Sequence, residues 1–223
     1  MIASRIAAVF RENRVPCIAL NIIVITLVGS YYQVPDIAAM WEAVGAFKLK
    51  WAYAFSLGST IFAAALLPSL VQLAMGTLPP EGRWKRVGLL SLFWGYRGME
   101  IDLFYQVQGW LFGTGNDAAT LIKKVAVDQF VMSPLWFVPT VLIAMRWVDM
   151  GGSWARTRAS LNREFWMRTC PTVMVTNWLV WIPTLALVYS LPPALQFPLF
   201  AMVMCFFILI ITLLARVDQR SIK

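Results

Sequence analysis

Residues 172–214 read TVMVTNWLVWIPTLALVYSLPPALQFPLFAMVMCFFILIITLL, two apolar runs separated by Leu191, Pro192 and Pro193. The runs, 172–190 and 194–214, contain no charged residue. A helix needs about 20 mainly apolar residues to cross the hydrocarbon core of a bilayer, which is about 30 Å thick. The stretch therefore predicts two membrane-spanning helices.

Composition extends this prediction to the whole chain. The 223 residues are 60% hydrophobic and 13% charged, whereas an average soluble domain has roughly a quarter of charged residues. With 14% aromatic residues, the chain also has too much apolar surface to remain disordered. We predict an all-α, polytopic membrane helix bundle that forms a single integral membrane domain over residues 1–223. Six apolar runs of sufficient length predict its transmembrane helices: 15–32, 51–75, 87–112, 125–147, 172–190 and 194–214.

The basic residues predict how this bundle is oriented. Of the 19 Lys and Arg residues, 14 fall in the two tails and in the second and fourth loops, and four fall on the opposite side. Because cytoplasmic loops carry an excess of Lys and Arg, both termini are expected in the cytoplasm. We expect the first span to be retained rather than cleaved as a signal peptide. The chain shows no organelle-targeting pattern, which favours a bacterial inner membrane, with an organelle membrane as the alternative.

The fourth loop, 149–171, contains an amphipathic arginine-rich stretch over 154–168. Such a stretch is expected to lie on the anionic leaflet of the membrane. We predict that four arginines bind anionic lipids: Arg156, Arg158, Arg163 and Arg168. The net charge of +8 is thus assigned to the membrane surface and not to nucleic acid. Whether the chain forms a homo-oligomer stays open.

Several classes of chemistry are excluded by residue type. The chain contains no histidine, which removes Ser-His and Cys-His catalytic arrangements and zinc sites built on imidazole. The three cysteines, Cys17, Cys170 and Cys205, are far apart, so no CxxC metal pair or disulfide framework is available. No phosphate-binding loop or nucleophile elbow is present. We predict neither an enzyme, nor a metal site, nor a cofactor.

Charges inside the third predicted span are the most informative polar feature. Residues 94–108 read WGYRGMEIDLFYQVQ and carry three formal charges. Each would cost several kcal/mol if it faced lipid unpaired, so the charges should point into the bundle. Arg97 and Glu100 share a helix face, as do Asp102 and Gln106. Gly98 lacks a side chain beside them, which allows another helix or a solute to approach.

Two functions follow from these charges and remain open. In the first, the protein is a channel or pore for small solutes or ions, lined by Arg97, Glu100, Asp102, Gln106, Asp128, Gln129 and Asn177. In the second, it is a non-transporting membrane scaffold or homeostasis protein, and the same charges fix helix packing. A secondary transporter is a further alternative, because prolines interrupt the fourth and fifth spans. A membrane enzyme is the least favoured, because Glu100 and Asp102 point about 200° apart on a helix.

Three blocks of the chain resemble a known family, the 22-kDa peroxisomal membrane proteins, whose members include the Mpv-seventeen proteins of the mitochondrial inner membrane. The sequence GYRG at 95–98 followed by Phe104-Tyr105 is similar to the family's Gly-x-x-Gly-Pro block ending in Trp-Tyr. The second and third blocks, Lys-x-x-x-Asp-Gln and Asn-Tyr-x-x-Trp-Pro, are matched from Lys124 to Gln129 and from Asn177 to Trp181.

The resemblance covers about residues 51–214, so the first predicted span is additional to it. It implies an integral membrane protein. Some members of the family are described as pores for small solutes, and others are linked to organelle membrane homeostasis. This chain departs from the family pattern at several positions: Met99 replaces a Pro, Asp102 stands where His is frequent, and Ile182, Leu185 and Val188 replace Pro, Gln and Asn. A distant, bacterial member is the expected identity.

Overall fold

The computed structural model describes the backbone of residues 2–221 and the side chains of residues 17–209. Within these residues the protein is all-helical and contains no strand, as predicted. Nine α-helices follow one another along the described chain: α1 (Ile2–Gln33), α2 (Pro35–Ile61), α3 (Leu67–Ala74), α4 (Arg83–Phe112), α5 (Ala118–Val127), α6 (Val138–Asp149), α7 (Trp154–Ser160), α8 (Cys170–Ser190) and α9 (Pro193–Ser221).

Among the described residues, three continuous helical stretches are long and apolar enough to cross a membrane: Pro35–Ala74, Ala118–Asp149 and Phe165–Ser190. Two shorter apolar helices, Cys17–Gln33 and Pro193–Leu209, overlap the first and sixth predicted spans. The outer ends of those two spans, 15–16 and 210–214, lie outside the described side chains. The third predicted span, 87–112, lies inside α4. These helices are compatible with an integral membrane protein, and the number of six spans stays a prediction.

The segment before the second predicted span is helical rather than a loop. The sequence suggested that this span begins at Trp51, because Lys48 and Lys50 interrupt the apolar run. Instead α2 begins at Pro35, where the fixed φ of proline suits the first helical turn. The backbone leaves helical geometry at Ala52, whose φ of 45° and ψ of −125° mark a kink. Lys48 therefore lies on a helix, and its charge is compensated there by Asp102.

Prolines explain three widened turns in the helices. The π-helical segments Phe62–Leu66, Asp128–Phe137 and Phe165–Thr169 each contain a proline or precede one by two residues. Proline donates no backbone hydrogen bond, and its ring crowds the carbonyl four residues earlier, so the preceding turn opens. The predicted interruption at Pro134 is thus a π-helical segment. Pro183, in contrast, lies within α8 without ending it.

The described chain folds into two compact units. The first unit comprises residues 108–191 and the chain before residue 27, and the second comprises residues 27–107 and the chain from residue 192. In the first unit α8 packs against α5 and α6, and α7 packs on α6. Val180 and Val188, both buried, lie on α8 in the interior of this unit. The prediction of a single membrane domain stays a prediction.

In the second unit two glycines allow helices to approach closely. A Cβ atom on Gly45 of α2 would lie 2.8 Å from Cδ2 of Leu195, so the side chain of Leu195 on α9 packs directly against the backbone of α2. A Cβ atom on Gly98 of α4 would lie 2.1 Å from Oγ1 of Thr60 and 2.4 Å from the carbonyl oxygen of Ser56. The approach predicted at Gly98 is therefore that of another helix, α2.

Candidate functional site

The second unit buries a carboxylate together with its counter-charge. Asp102 of α4 is 2% exposed, and Nζ of Lys48 lies 2.8 Å from its Oδ1. The hydroxyl of Ser56 donates to its Oδ2 at 2.5 Å, and Nε2 of Gln106 lies 3.4 Å from Oδ1. Both carboxylate oxygens are therefore engaged. We refer to Lys48, Ser56, Asp102 and Gln106 as the Asp102 cluster.

The geometry of α2 and α4 assembles this cluster. Lys48 and Ser56 lie on opposite sides of the kink at Ala52, and both face Asp102. The close approach of α4 to α2 at Gly98, one turn before Asp102, places the carboxylate within reach of the Ser56 hydroxyl. The predicted pairing of Asp102 with Gln106 along α4 is present, but it is the longest of the three contacts.

A second pair of charges lies one turn earlier on α4. Arg97 is 2% exposed and forms an ion pair with Glu100, as the three-residue spacing predicted. Its guanidinium carbon also lies 5.3 Å from the centre of the Phe93 ring, and Tyr96 donates a hydrogen bond to Glu100 at 3.3 Å. Arg97 and Glu100 thus compensate each other within one helix.

The first unit buries a carboxylate that is held by neutral groups. The hydroxyl of Tyr189 donates to Oδ2 of Asp128 at 2.7 Å, and Nε2 of Gln129 donates to Oδ1 at 2.8 Å. The Tyr189 oxygen in turn accepts from Nε2 of Gln108 at 2.7 Å. No ion pair to Asp128 occurs among the residues whose side chains are described.

Gln129 links this arrangement to α8. Nδ2 of Asn177 donates to Oε1 of Gln129 at 3.0 Å, and Nε1 of Trp178 donates to its backbone carbonyl at 2.7 Å. In a π-helix that carbonyl would pair with the residue five positions later, which is Pro134 and has no N–H. Trp178 therefore supplies the donor that Pro134 lacks. We refer to Gln108, Asp128, Gln129, Asn177 and Tyr189 as the Asp128 cluster.

Lys124 borders the Asp128 cluster. It is 1% exposed, and its ammonium nitrogen lies 5.7 Å from the centre of the Tyr189 ring. At this distance the cation is attracted to the face of the aromatic ring. The four-residue spacing of Lys124 and Asp128 would allow a pair on a helix surface, but the lysine instead contacts the tyrosine that donates to Asp128.

One buried polar atom of the cluster has no hydrogen-bond partner among the described side chains. Gln108 is fully buried, and its Oε1 makes no hydrogen bond with any residue whose side chain is described. The carbonyl oxygen and the nitrogen of one amide are about 2.2 Å apart. Oε1 therefore lies within about 5 Å of the Tyr189 hydroxyl, so the unmet acceptor belongs to the same cluster.

The seven residues predicted to line a pore therefore fall into two groups. One group lies on α4 of the second unit: Arg97, Glu100, Asp102 and Gln106. The other lies in the first unit: Asp128, Gln129 and Asn177. Arg97, Asp102, Asp128 and Gln129 are buried, and Gln106 is exposed. Among the residues with described side chains, no group of three or more acidic residues and cysteines could hold a metal ion.

Sequence reasoning missed four residues that complete the clusters: Lys48, Ser56, Gln108 and Tyr189. A buried Asp102 needs a cation nearby. Lys48 was not considered as that cation, because it had been assigned to the loop before the second predicted span. Nothing in the sequence pointed from Asp128 to Tyr189, which lies 61 positions later near the end of a predicted span.

No known protein family, curated protein or solved structure matches the chain.

Proposed function

We propose that this protein is a non-transporting membrane scaffold with six spans and both termini in the cytoplasm, in which intramembrane charges hold helices together. The observation that carries the proposal is the ion pair between Lys48 and Asp102. A carboxylate that takes part in cation permeation must be able to exchange water for the ion. Asp102 instead gives one oxygen to an ammonium group and the other to a hydroxyl.

The orientation is supported by the position of Lys48. This residue was one of four basic residues counted on the non-cytoplasmic side. Because it is buried in an ion pair, it does not act as a surface charge, and three basic residues then oppose 14 on the cytoplasmic side. We propose a bacterial inner membrane as the location, with an organelle membrane as the alternative.

We also propose that the chain is a distant member of the 22-kDa peroxisomal membrane protein family. The family-like blocks around Asp128-Gln129 and Asn177-Trp178 are 48 residues apart in sequence and are joined by two hydrogen bonds. If the resemblance of these two blocks to the family were due to chance, we would not expect the blocks to contact each other in the structure. The contact supports common ancestry and does not by itself favour a pore.

Solute flux through purified protein in liposomes tests the scaffold proposal. We expect no flux of ions or small neutral solutes above that of empty liposomes, for wild type and for Asp102→Asn. Circular dichroism would check that each protein is folded. Flux in wild type that Asp102→Asn alters selectively, with folding intact, would contradict the proposal.

A second candidate function is a channel for ions or small solutes whose polar path runs through the Asp128 cluster. The observation that favours it is Oε1 of Gln108, a buried acceptor with no described partner that a water molecule or cation could occupy. In that case, flux would be present in wild type, strongly reduced in Asp128→Asn and unchanged in folded Asp102→Asn. The same liposome experiment therefore separates the two functions.

A further inference from the structure

One oxygen of the buried Asp128 carboxylate faces an amide whose orientation is fixed. Nε2 of Gln129 donates to Oδ1 of Asp128 at 2.8 Å, and Oε1 of the same amide accepts from Nδ2 of Asn177 at 3.0 Å. The Gln129 amide therefore cannot turn over without losing both hydrogen bonds. Because an N–H group faces Oδ1, this oxygen accepts a hydrogen bond there and cannot donate one.

The other carboxylate oxygen faces groups that can reverse their hydrogen bonds. The hydroxyl of Tyr189 donates to Oδ2 of Asp128 at 2.7 Å and accepts from Nε2 of Gln108 at 2.7 Å. A hydroxyl can donate or accept, and an amide that turns over exchanges its donor for its acceptor. Oε1 of Gln108 has no hydrogen-bond partner among the residues with described side chains. Turning this amide therefore breaks no bond at its other end.

Two hydrogen-bond patterns fit this arrangement. With an ionised carboxylate, Gln108 donates to Tyr189 and Tyr189 donates to Asp128, as observed. With a proton on Oδ2, the carboxyl group would donate to the Tyr189 oxygen, and the Tyr189 hydroxyl would donate to Oε1 of the turned Gln108 amide. Oδ1 would still accept from Gln129. The two patterns contain the same number of hydrogen bonds, and the second lacks the buried negative charge.

The surroundings of Asp128 contain little charge to hold it in the ionised form. The residue is 4% exposed, and no ion pair to it occurs among the residues whose side chains are described. Neither α8 nor residues 108–112 of α4 contain a charged residue. The charges of α6, Arg146 and Asp149, follow Asp128 by at least 18 positions, or about 25 Å of helix. Burial without a counter-ion therefore favours the uncharged carboxyl group.

Two titratable groups border Asp128. Tyr189 of α8 donates to its Oδ2, and Lys124 of α5 places its ammonium nitrogen 5.7 Å from the centre of the Tyr189 ring. The lysine is 1% exposed, and its positive charge favours the ionised carboxylate through space. Burial and the lysine thus act in opposite directions, so the surroundings exclude neither form of Asp128.

We infer that Asp128 is a proton-binding site, which carries the proton on Oδ2 and reverses the hydrogen bonds of Tyr189 and Gln108 when the proton binds. The proton comes from water, and the carboxyl group loses its negative charge. The fixed Gln129 amide selects the oxygen, and the Gln108 amide accommodates the change. The inference goes beyond the proposed scaffold and beyond the alternative channel, because a proton can bind without any solute crossing the membrane.

Infrared spectroscopy of the full chain in detergent, recorded over a range of pH, tests the inference. Protonated carboxyl groups have a C=O stretching band that is separate from the amide and carboxylate bands. We expect the difference between the spectra of wild type and Asp128→Asn to contain one such band, which disappears reversibly as the pH rises. No band over the pH range in which the protein is folded, or a band that persists at every pH, would overturn the inference.

Gln108→Leu tests the reversal of the hydrogen bonds. In the protonated form this variant leaves the Tyr189 hydroxyl without an acceptor, whereas in the ionised form that hydroxyl still donates to Asp128. We therefore expect the midpoint of the band's titration to fall by about one pH unit. Without the reversal, loss of the Gln108 donor would leave the midpoint unchanged or raise it. Either of those results in the folded variant would overturn the reversal.

A matched control and a further variant complete the experiment. Gln33→Leu changes an exposed glutamine of the second unit and should leave the midpoint unchanged. If Asp128→Asn or Gln108→Leu does not fold, Tyr189→Phe takes its place, because it removes a donor to the ionised carboxylate. Its midpoint should rise by about one pH unit, and an unchanged midpoint would overturn the inference. The titration does not measure flux, so failure of the proton site and failure of the scaffold proposal can be told apart.

Discussion

The two units each bury one aspartate of a long helix, and they stabilise it by different means. Asp102 of the second unit is paired with a lysine ammonium 2.8 Å away and with a serine hydroxyl. Asp128 of the first unit accepts from a tyrosine hydroxyl and a glutamine amide, with no ion pair in the described part of the chain. The first arrangement depends on two opposite charges, whereas the second depends on hydrogen bonding that a neutral side chain can partly reproduce.

This difference indicates which cluster suits a scaffold and which suits a channel, the two functions predicted from the charges. A buried ion pair is costly to break, because removal of one partner leaves the other charge uncompensated. A carboxylate with neutral donors has no counter-ion, so protonation or ligand binding there leaves no opposite charge unpaired. The proposed scaffold therefore gives the Asp102 cluster a structural role, and the alternative channel function would use the Asp128 cluster as its binding site.

The largest effect is expected from removal of the cation. Lys48→Met leaves Asp102 buried without its counter-charge, and we expect unfolding in detergent to become easier by about 3–5 kcal/mol. Lys50→Met removes an exposed lysine two residues later and should change stability by less than about 0.5 kcal/mol. The double variant Lys48→Met with Asp102→Leu should recover most of the loss, because no buried charge remains. Equal stability of the two single variants would contradict the role given to the ion pair.

A somewhat smaller loss is expected at the helix contact that positions Asp102. Gly98→Ala places a methyl group 2.1 Å from Oγ1 of Thr60, so α2 and α4 must separate at a cost of about 1–3 kcal/mol. On the same helix, Gly88→Ala meets no atom within 4 Å and should stabilise the helix by up to about 1 kcal/mol. Thermal unfolding of the two variants compares them directly. A neutral effect of Gly98→Ala would show that the close approach of the helices is absent.

In the Asp128 cluster the loss should be smaller still. Tyr189→Phe removes one of the two described donors to Asp128 and the acceptor for Gln108, with an expected cost of about 1–2 kcal/mol. Gln129 still donates to Asp128, so the carboxylate is not left without hydrogen bonds. Chemical unfolding of wild type and variant measures the difference. A loss as large as that of Lys48→Met would mean that the two clusters do not differ in the way described.

The smallest effect is a gain at the kink between Lys48 and Ser56. Ala52 has a φ of 45°, and this backbone conformation has a higher free energy for alanine than for glycine. Ala52→Gly should therefore stabilise the protein by about 1 kcal/mol. Ala46→Gly, at an exposed helical position of α2, should instead destabilise it by about 0.5–1 kcal/mol. Destabilisation of similar size in both variants would indicate that α2 is regular at residue 52.

Local spacing was sufficient to predict part of this arrangement. The pair of Arg97 and Glu100 follows from their three-residue separation, and the close approach at Gly98 follows from its missing side chain beside buried charges. The all-helical fold follows from apolar runs that are too long for strands. Each of these features could be predicted from residues within one helix.

The remaining features depend on contacts between distant segments, which spacing does not reveal. Lys48 was assigned to a loop because charges end an apolar run, yet a charge compensated by Asp102 is tolerated inside a helix. Tyr189 is indistinguishable in the sequence from an aromatic residue at the membrane interface, and its contact with Asp128 depends on how α8 packs. The π-helical turn at Pro134 could be anticipated as an interruption, but the indole that completes it could not.

One pair of matched substitutions tests the central claim most directly. Asp102→Asn and Asp128→Asn make the same chemical change in the two clusters, and their free energies of unfolding can be measured under identical detergent conditions. We expect Asp102→Asn to lose about 3–5 kcal/mol, because Lys48 remains buried without a carboxylate. We expect Asp128→Asn to lose less than about 1 kcal/mol, because rotation of neighbouring amides restores the hydrogen bonds. Equal losses, or a larger loss for Asp128→Asn, would contradict the account.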